Sequence, residues 1–473
     1  MASSPPSTRR LFPLLLAAAL GVGGTGCRAQ SSAEPASPTS WPATADDATP
    51  HRTAPARPLA PGGVPAAAPT LPPPGAHRGM PVAEITAEPT IRVRVGTEQT
   101  VAILGTSAPG GELQISAGAG ARPYRYAAPV TVLRKGSAWE LTDARGGRVR
   151  WRLPRLVVTS VQPGPVTFGD NAYPRQMVLE PTQNADHFDA VNHVPLDTYL
   201  AGVLERELYA TWPAQTFRAQ AVAARSYALW EVALARRDAE RAFDLESTEA
   251  SQVYGGESKN PKARAAVTDT RGVMLVYDGR VLPAFFASSS GGLGQDAALA
   301  FPGRGPDLPP LRAREHGAWD KESPAWRWGP VSRDRAAWSR RVAAWGVREK
   351  HAVAALGTVT RIDVETLNRV QRPATFRVTD ETGAAYVLPA EGFRHASNFD
   401  AKGLPTLKKP DRLLSSHVDV AVDARQVVFT HGRGHGHGVG MSQWGAKAMA
   451  DAGHGYAAIL NFYYPGAELR RLY

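Results

Sequence analysis

Two stretches of this chain carry residues able to do chemistry. His431-Gly-Arg-Gly-His-Gly-His-Gly-Val-Gly-Met-Ser-Gln-Trp-Gly-Ala446 holds three histidines and six glycines within sixteen residues. Glycine suits backbone that turns with positive φ or approaches another molecule closely. Alternating with histidine, it presents imidazoles that can ligate a metal, hold a sugar, or do neither in a simple turn. The second stretch, Leu204-Glu-Arg-Glu-Leu208, offers two carboxyl groups. A carboxyl in a partly apolar setting stays protonated to higher pH and can serve as a general acid. Glu205 and Glu207 lie about 200° apart around a helix, so they face different ways. Arg225 stands among Ala223, Ala224 and Ala228, where it is either solvated or reaches a site.

These groups need elements to hold them. Pro195 to Leu208 predicts an amphipathic helix with Leu196, Tyr199, Leu200, Val203 and Leu204 on one face. A second helix follows through Gln215 to Leu229, with Thr211 as its N-cap and Pro213 in its first turn. Upstream, Thr90–Val95, Glu112–Ile115, Val130–Leu133, Arg148–Leu153 and Leu156–Thr159 read as short strands, punctuated by Gly110-Gly111 and Gly146-Gly147. Downstream, Val273–Tyr277 and Val281–Ala287 read as strands joined by an Asp278-Gly279 turn, followed by the polar loop Ser288-Ser-Ser-Gly-Gly292. Arg333 to Trp345 reads as a helix, and strands follow at Val359–Val364, Thr375–Val378 and Val418–Val428. Met441–Ala452 and Tyr456–Tyr463 read as helices, broken by Gly453 and stopped by Pro465-Gly466. The fold class is α+β.

The beginning of the chain reads as an export signal. Arg9 and Arg10 precede an apolar run, Leu11 to Val22, that is too short to span a bilayer. Gly24-Thr-Gly-Cys27 then resembles a lipobox, with Gly24 where leucine is usual. We read residues 1–27 as a lipoprotein-type signal peptide and Cys27 as the lipid anchor. Cys27 is the single cysteine, which excludes an internal disulfide and a cysteine-based metal site. Residues 28–85 are rich in proline and alanine and read as a disordered tether. A β-rich module over 86–190 and a mixed core over 191–473 follow. The formal net charge of +11 fits an anionic partner. Beside an export signal, that partner is an envelope polymer or membrane surface rather than nucleic acid. Arg28 after Cys27, in place of aspartate, favours the outer membrane in a cell that has one.

Four blocks, in order, carry a family likeness. They are Val194-Pro-Leu-Asp-Thr-Tyr-Leu-Ala-Gly-Val-Leu-Glu-Arg-Glu-Leu208, Ala219-Gln-Ala-Val-Ala-Ala-Arg-Ser-Tyr-Ala-Leu229, Ala284-Phe-Phe-Ala-Ser-Ser-Ser-Gly-Gly292 and Gly432 to Lys447. Together they resemble the SpoIID/LytB family, the stage II sporulation protein D group. Phe393-Arg394 and Leu413-Leu-Ser-Ser416 are lesser landmarks. Enzymatic members of that family are lytic transglycosylases of peptidoglycan that prefer strands stripped of stem peptides, and LytB-type members enhance a cell-wall amidase.

The resemblance implies a lytic transglycosylase that cleaves MurNAc–GlcNAc bonds with one Glu as acid and base, leaving 1,6-anhydro-muramic ends. The family's catalytic glutamate stands two residues before a proline, which here selects Glu207; Tyr209 replaces the proline. Implied glycan contacts are Arg225, Ser288, Ser289, Ser290, His437, Met441, Ser442, Gln443 and Trp444. Trp444 stands where the family more often has tyrosine, and His435 where it often has tryptophan. Some members bind zinc around the segment that here reads Asp244 to Tyr254. That segment has no cysteine or histidine, so Asp244, Glu246 and Glu249 read as surface or loop residues. We expect no metal and no cofactor, and partners limited to peptidoglycan glycan strands, a cell-wall amidase and the anchoring membrane. The expected location is the extracytoplasmic face of the envelope. Two alternatives compete. Loop histidines could make a metal hydrolase, though they lack a carboxylate or helix-spaced partner. The same fold could also serve as a non-catalytic wall-binding or amidase-enhancing protein.

Overall fold

The computed structural model describes residues 75–118, 120–249 and 251–473. Cys27, the signal segment 1–27 and most of the tether lie outside the described residues. Alternation of apolar and polar side chains builds the first half. Strand Thr90–Gln99 buries Ile91 and Val93 and turns Arg92 and Arg94 to its other face. It pairs antiparallel with Phe188–Pro195, Ile91 opposite Val194, and parallel with Leu245–Glu246. Gln176–Pro181, Leu156–Ser160, Glu112–Ser116 and Tyr124–Ala127 complete a seven-stranded sheet in that order. A six-stranded sheet centred on Val101–Thr106, Val130–Lys135 and Ala138–Thr142 faces the same core, where Leu104, Val132 and Trp139 meet Ile91 and Phe188.

Among the described residues eight α-helices follow: α1 Leu196–Glu207, α2 Ala214–Ala235, α3 Pro261–Asp269, α4 Ala297–Ala300, α5 Arg335–Glu349, α6 Ala390–Ser397, α7 Gln443–Asp451 and α8 Tyr456–Tyr463. α1 buries the predicted stripe, Leu196, Tyr199, Leu200, Val203 and Leu204. α2 is buried on nearly every side, which its alanines allow by letting neighbours approach. Its N-cap is Pro213, in extended conformation, rather than Thr211. Proline fits there because the first helical N–H groups have no partner within the helix. Strand Phe188–Pro195 runs directly into α1, so the expected boundary at residue 190 falls inside a strand. Ala190, Val194, Leu196 and Leu200 belong to one cluster, and the β-rich module shares its core with the helices.

Several expectations shift by a few residues for local reasons. Asp278 and Gly279 adopt positive φ of 48° and 66° and form the predicted turn between Tyr277 and Arg280. The strand expected over Val281–Ala287 is split, with Pro283 between Arg280–Val281 and Phe286–Ala287. Phe286–Ala287 pairs in parallel with Met441–Ser442. The helix expected from Arg333 starts at Arg335, because the Asp334 side chain accepts the Ala337 N–H at 2.7 Å and caps it. Gly75 to Ile85, assigned by composition to the tether, lie on the core. The Val281 N–H donates to Met80 O at 2.9 Å, and Ile85 is buried. A separate cluster, with Trp338, Val342, Phe376, Phe393 and Phe429, fills the region built on α5, α6 and two three-stranded sheets. Among the described residues no helix is long and apolar enough to cross a membrane.

Candidate active site

Glu207 is the last residue of α1. The Val253 N–H donates to its Oε1 at 3.3 Å, and the Gln443 amide donates to its Oε2 at 3.1 Å. Val253 is held from behind by its neighbours. The Tyr199 hydroxyl donates to Gln252 Oε1 at 3.0 Å, and Gln252 donates to the Ala224 carbonyl at 3.2 Å. Glu205 faces elsewhere, as helix geometry requires, and accepts the Lys259 N–H at 2.7 Å.

The surroundings of Glu207 are largely apolar. Leu204, Leu208 and Trp212 are buried beside it in sequence. Trp212 packs edge-on against Trp444 at 5.1 Å between ring centroids, and Tyr209 lies against both. Desolvation raises the Glu207 pKa above its ordinary value. The bonds from Gln443 and Val253 pull it back, and the charge of Glu249 adds to the rise. The residue as a whole keeps part of its surface open to solvent, while its carboxyl is desolvated. Such a group holds its proton further toward neutral pH than a free glutamate does.

Gln443 and Trp444 reach Glu207 because α7 is fixed at its start. Ser442 caps the helix by accepting the Gly445 N–H at 3.2 Å, while its hydroxyl donates to Asp320 Oδ2 at 3.0 Å. The same oxygen takes the Ser289 hydroxyl at 2.8 Å, the Ser290 N–H at 2.6 Å and hydroxyl at 3.1 Å, and the Gly291 N–H at 3.1 Å. Asp320 thus ties the Ser289–Gly291 loop to the head of α7. It lies in the tryptophan- and proline-rich stretch without periodicity, where no sequence signal marked it.

This arrangement corrects several expected glycan contacts. Ser289, Ser290 and Ser442 are buried, with their hydroxyls turned to Asp320. Met441 is a core residue, 1% exposed, and its N–H donates to the Phe285 carbonyl at 3.1 Å. Arg225 is fully buried; it pairs with Asp197 at 2.8 Å and donates to the Val273 carbonyl at 3.1 Å. Its guanidinium is consumed by the scaffold between α1, α2 and the Val273 strand. Ser288 remains partly exposed, and its carbonyl accepts the Trp444 N–H at 3.1 Å.

The glycine–histidine loop also has a different use from the one expected. Ser289 and His435 exchange backbone hydrogen bonds at 3.2 and 2.8 Å. Gly434 has φ of 78°, and a Cβ there would lie 2.6 Å from the Ser289 carbonyl oxygen. The glycines bring two loops together backbone to backbone. His437 Nδ1 accepts the Val439 N–H at 3.0 Å, and its ring lies 5.2 Å from Phe301. Burial lowers the pKa of both His437 and His435 to about 4, so both are neutral at pH 7. Among the described residues, no hydrogen bond joins either ring to Glu207. The structure therefore gathers Glu207, Gln443 and Trp444 and adjoins Ser288 to them, while the His437 ring lies against Phe285 and Phe301.

Asp244 is not a surface residue. It is buried and pairs with Arg92 at 2.8 Å, while Glu246 pairs with Arg94. Among the described residues no group of three or more His, Cys, Asp or Glu side chains is spaced to hold a metal ion.

The family model for the stage II sporulation protein, SpoIID, matches residues 184–277, which include α1, α2 and Glu207. The chain is 28% identical over 291 residues to the amidase enhancer of Bacillus subtilis, across 57% of this chain and 40% of that protein. It is 26% identical over 295 residues to the stage II sporulation protein D of Bacillus subtilis, across 59% of this chain and 76% of that protein. It is 29% identical over 294 residues to an uncharacterized protein of Brachyspira hyodysenteriae, across 60% of this chain and 69% of that protein. The chain thus spans less than half the length of the amidase enhancer. Over these residues the chain is similar to the SpoIID family model and to proteins named amidase enhancer and stage II sporulation protein D.

Proposed function

We propose that this protein is a lytic transglycosylase of peptidoglycan, acting on glycan strands stripped of stem peptides. The observation that carries the reading is Glu207: a carboxyl with raised pKa, held by Val253 and Gln443 beside Trp212 and Trp444. Protonated Glu207 donates to the oxygen joining MurNAc to GlcNAc, and the MurNAc C1–O bond breaks. The C6 hydroxyl oxygen of the same MurNAc bonds to C1, and its proton passes to the Glu207 carboxylate. The ring closes as a 1,6-anhydro sugar, the enzyme regains its proton, and no water is consumed. One carboxyl suffices, unlike the two that hydrolysing glycosidases use. Gln443 orients the carboxyl and favours its ionised form, which readies it for the second proton transfer.

The test is release of anhydromuropeptides from amidase-treated sacculi by wild type and by Glu207→Gln. Equal release by both removes Glu207 from the mechanism. A second reading rests on the similarity to a protein named amidase enhancer: a non-catalytic glycan-binding partner of a wall amidase. Sedimentation of both proteins with sacculi, with no release by either, favours that reading. Export and lipid anchoring through Cys27 are inferred from residues 1–27 alone.

A further inference from the structure

Tyr209 is 56% exposed, large and partly apolar, and sits two residues beyond Glu207. The chain leaves α1 in extended conformation at Leu208, with φ −123° and ψ 146°. Successive side chains there point to opposite sides. Leu208 goes into the core and Tyr209 goes out. The Tyr209 ring is not adrift. It lies 5.3 Å from Trp212 and 6.2 Å from Trp444, tilted 59° to the latter. Trp212 is 5% exposed and backs the pair. The turn itself is pinned: Lys262 Nζ donates to the carbonyls of Ala210 and Trp212 at 2.8 and 2.9 Å, and the Trp212 N–H donates to Tyr209 O at 3.0 Å. Tyr209 and Trp444 therefore form a rigid, open aromatic angle beside the carboxyl. Its edge continues along α7. Ala448, one helical turn beyond Trp444 and so on the same side, lines an open depression of about 360 Å³ with Trp319 and Lys321.

We propose that Tyr209, with Trp444, is a glycan subsite that stacks the apolar face of one N-acetylhexosamine ring next to the cleaved bond, with the strand continuing along α7. This rests on the reading of Glu207 as facing glycan. Rigid aromatic faces bind with little loss of side-chain freedom, since the platform is already ordered. The tyrosine hydroxyl adds little to such stacking, so the ring rather than the oxygen carries the effect. Tyr209 acts on binding and not on proton transfer. Its loss raises KM and leaves kcat within about twofold, because stacking is equally strong in ground and transition states.

The experiment is calorimetric titration of peptide-free glycan strands into Glu207→Gln, which blocks turnover, and into Glu207→Gln carrying Tyr209→Ala or Tyr209→Phe. Circular dichroism monitors folding. The expected result is affinity about five- to tenfold weaker with Tyr209→Ala, and restored to within about twofold with Tyr209→Phe. Unchanged affinity with Tyr209→Ala overturns the proposal, as does loss with Tyr209→Phe equal to that with Tyr209→Ala. Absence of strand binding by the Glu207→Gln protein overturns it too. The catalytic reading fails separately: Tyr209-dependent binding without product release by wild type leaves the subsite standing. Product release whose KM ignores Tyr209→Ala leaves the chemistry standing and removes the subsite.

Discussion

Asp320 gives the sharpest structural prediction. Its Oδ2 takes donors from Ser289, Ser290, Gly291 and Ser442, all at 2.6–3.1 Å and all buried. Asp320→Ala leaves those donors without a partner in a space too closed for bulk water. A hydrogen bond to a charged group contributes about 1.5–3 kcal/mol, and an abandoned buried donor costs about 1–3 kcal/mol. These terms share one acceptor and are not additive. A loss of about 4 kcal/mol is therefore expected, read as a lower urea midpoint at unchanged slope. Asp320→Asn keeps an acceptor but removes the charge, and falls between wild type and alanine. Function has its own signature. Ser442 caps α7, and Gln443 and Trp444 follow it, so activity per folded molecule also falls, by about tenfold or more for a misplacement of about 1 Å. A stability change within about 0.5 kcal/mol, the range of an ordinary surface substitution, would refute the clamp.

Two further predictions concern Glu207. Gln443→Ala removes a bond that favours the ionised carboxylate, so the alkaline limb of the kcat/KM profile moves to higher pH; a limb that stays put, or moves to lower pH, contradicts the contact. Burial raises the Glu207 pKa in the folded state. The folded protein then binds that proton more tightly than the unfolded chain does, and stability is lost as pH rises through the folded value. Glu207→Gln carries no such loss. Its melting temperature should equal or exceed that of wild type near neutral pH, with the gap closing below the ordinary glutamate value of 4.5; a variant less stable at pH 7 than at pH 4, relative to wild type, speaks against a desolvated carboxyl.

Residues with a repeating physical pattern were legible before any coordinates. The stripe Leu196, Tyr199, Leu200, Val203 and Leu204 was visible from helical spacing, and burial followed. Asp278-Gly279 was visible because positive φ at two successive positions calls for those residue types. The separation of Glu205 from Glu207 needed only the angle per residue. Chain-distant pairing was not legible. Nothing local tells that Gly434 must lie against Ser289, or that the serines of two loops converge on Asp320. By sequence alone the glycines of residues 432–440 fit a turn or a close approach to another molecule; in the fold they serve close approach within the chain. Arg225 is illegible for a related reason. Its charge among alanines marked it as unusual, but Asp197, which takes that charge, lies on another helix. In sequence Tyr209 shows only that tyrosine stands where the resembling family has proline, and its ring contacts with Trp212 and Trp444 depend on the folded turn.

The central claim is that Glu207 moves the proton. Amidase-treated sacculi incubated with wild type and with Glu207→Gln, followed by mass analysis of the soluble fragments, test it most directly. Wild type is expected to release fragments ending in 1,6-anhydro-muramic acid, and Glu207→Gln to do so at a rate lower by at least about a hundredfold, the scale of a lost general acid. Fragments with reducing ends from wild type, or anhydro ends released equally by both proteins, would contradict it.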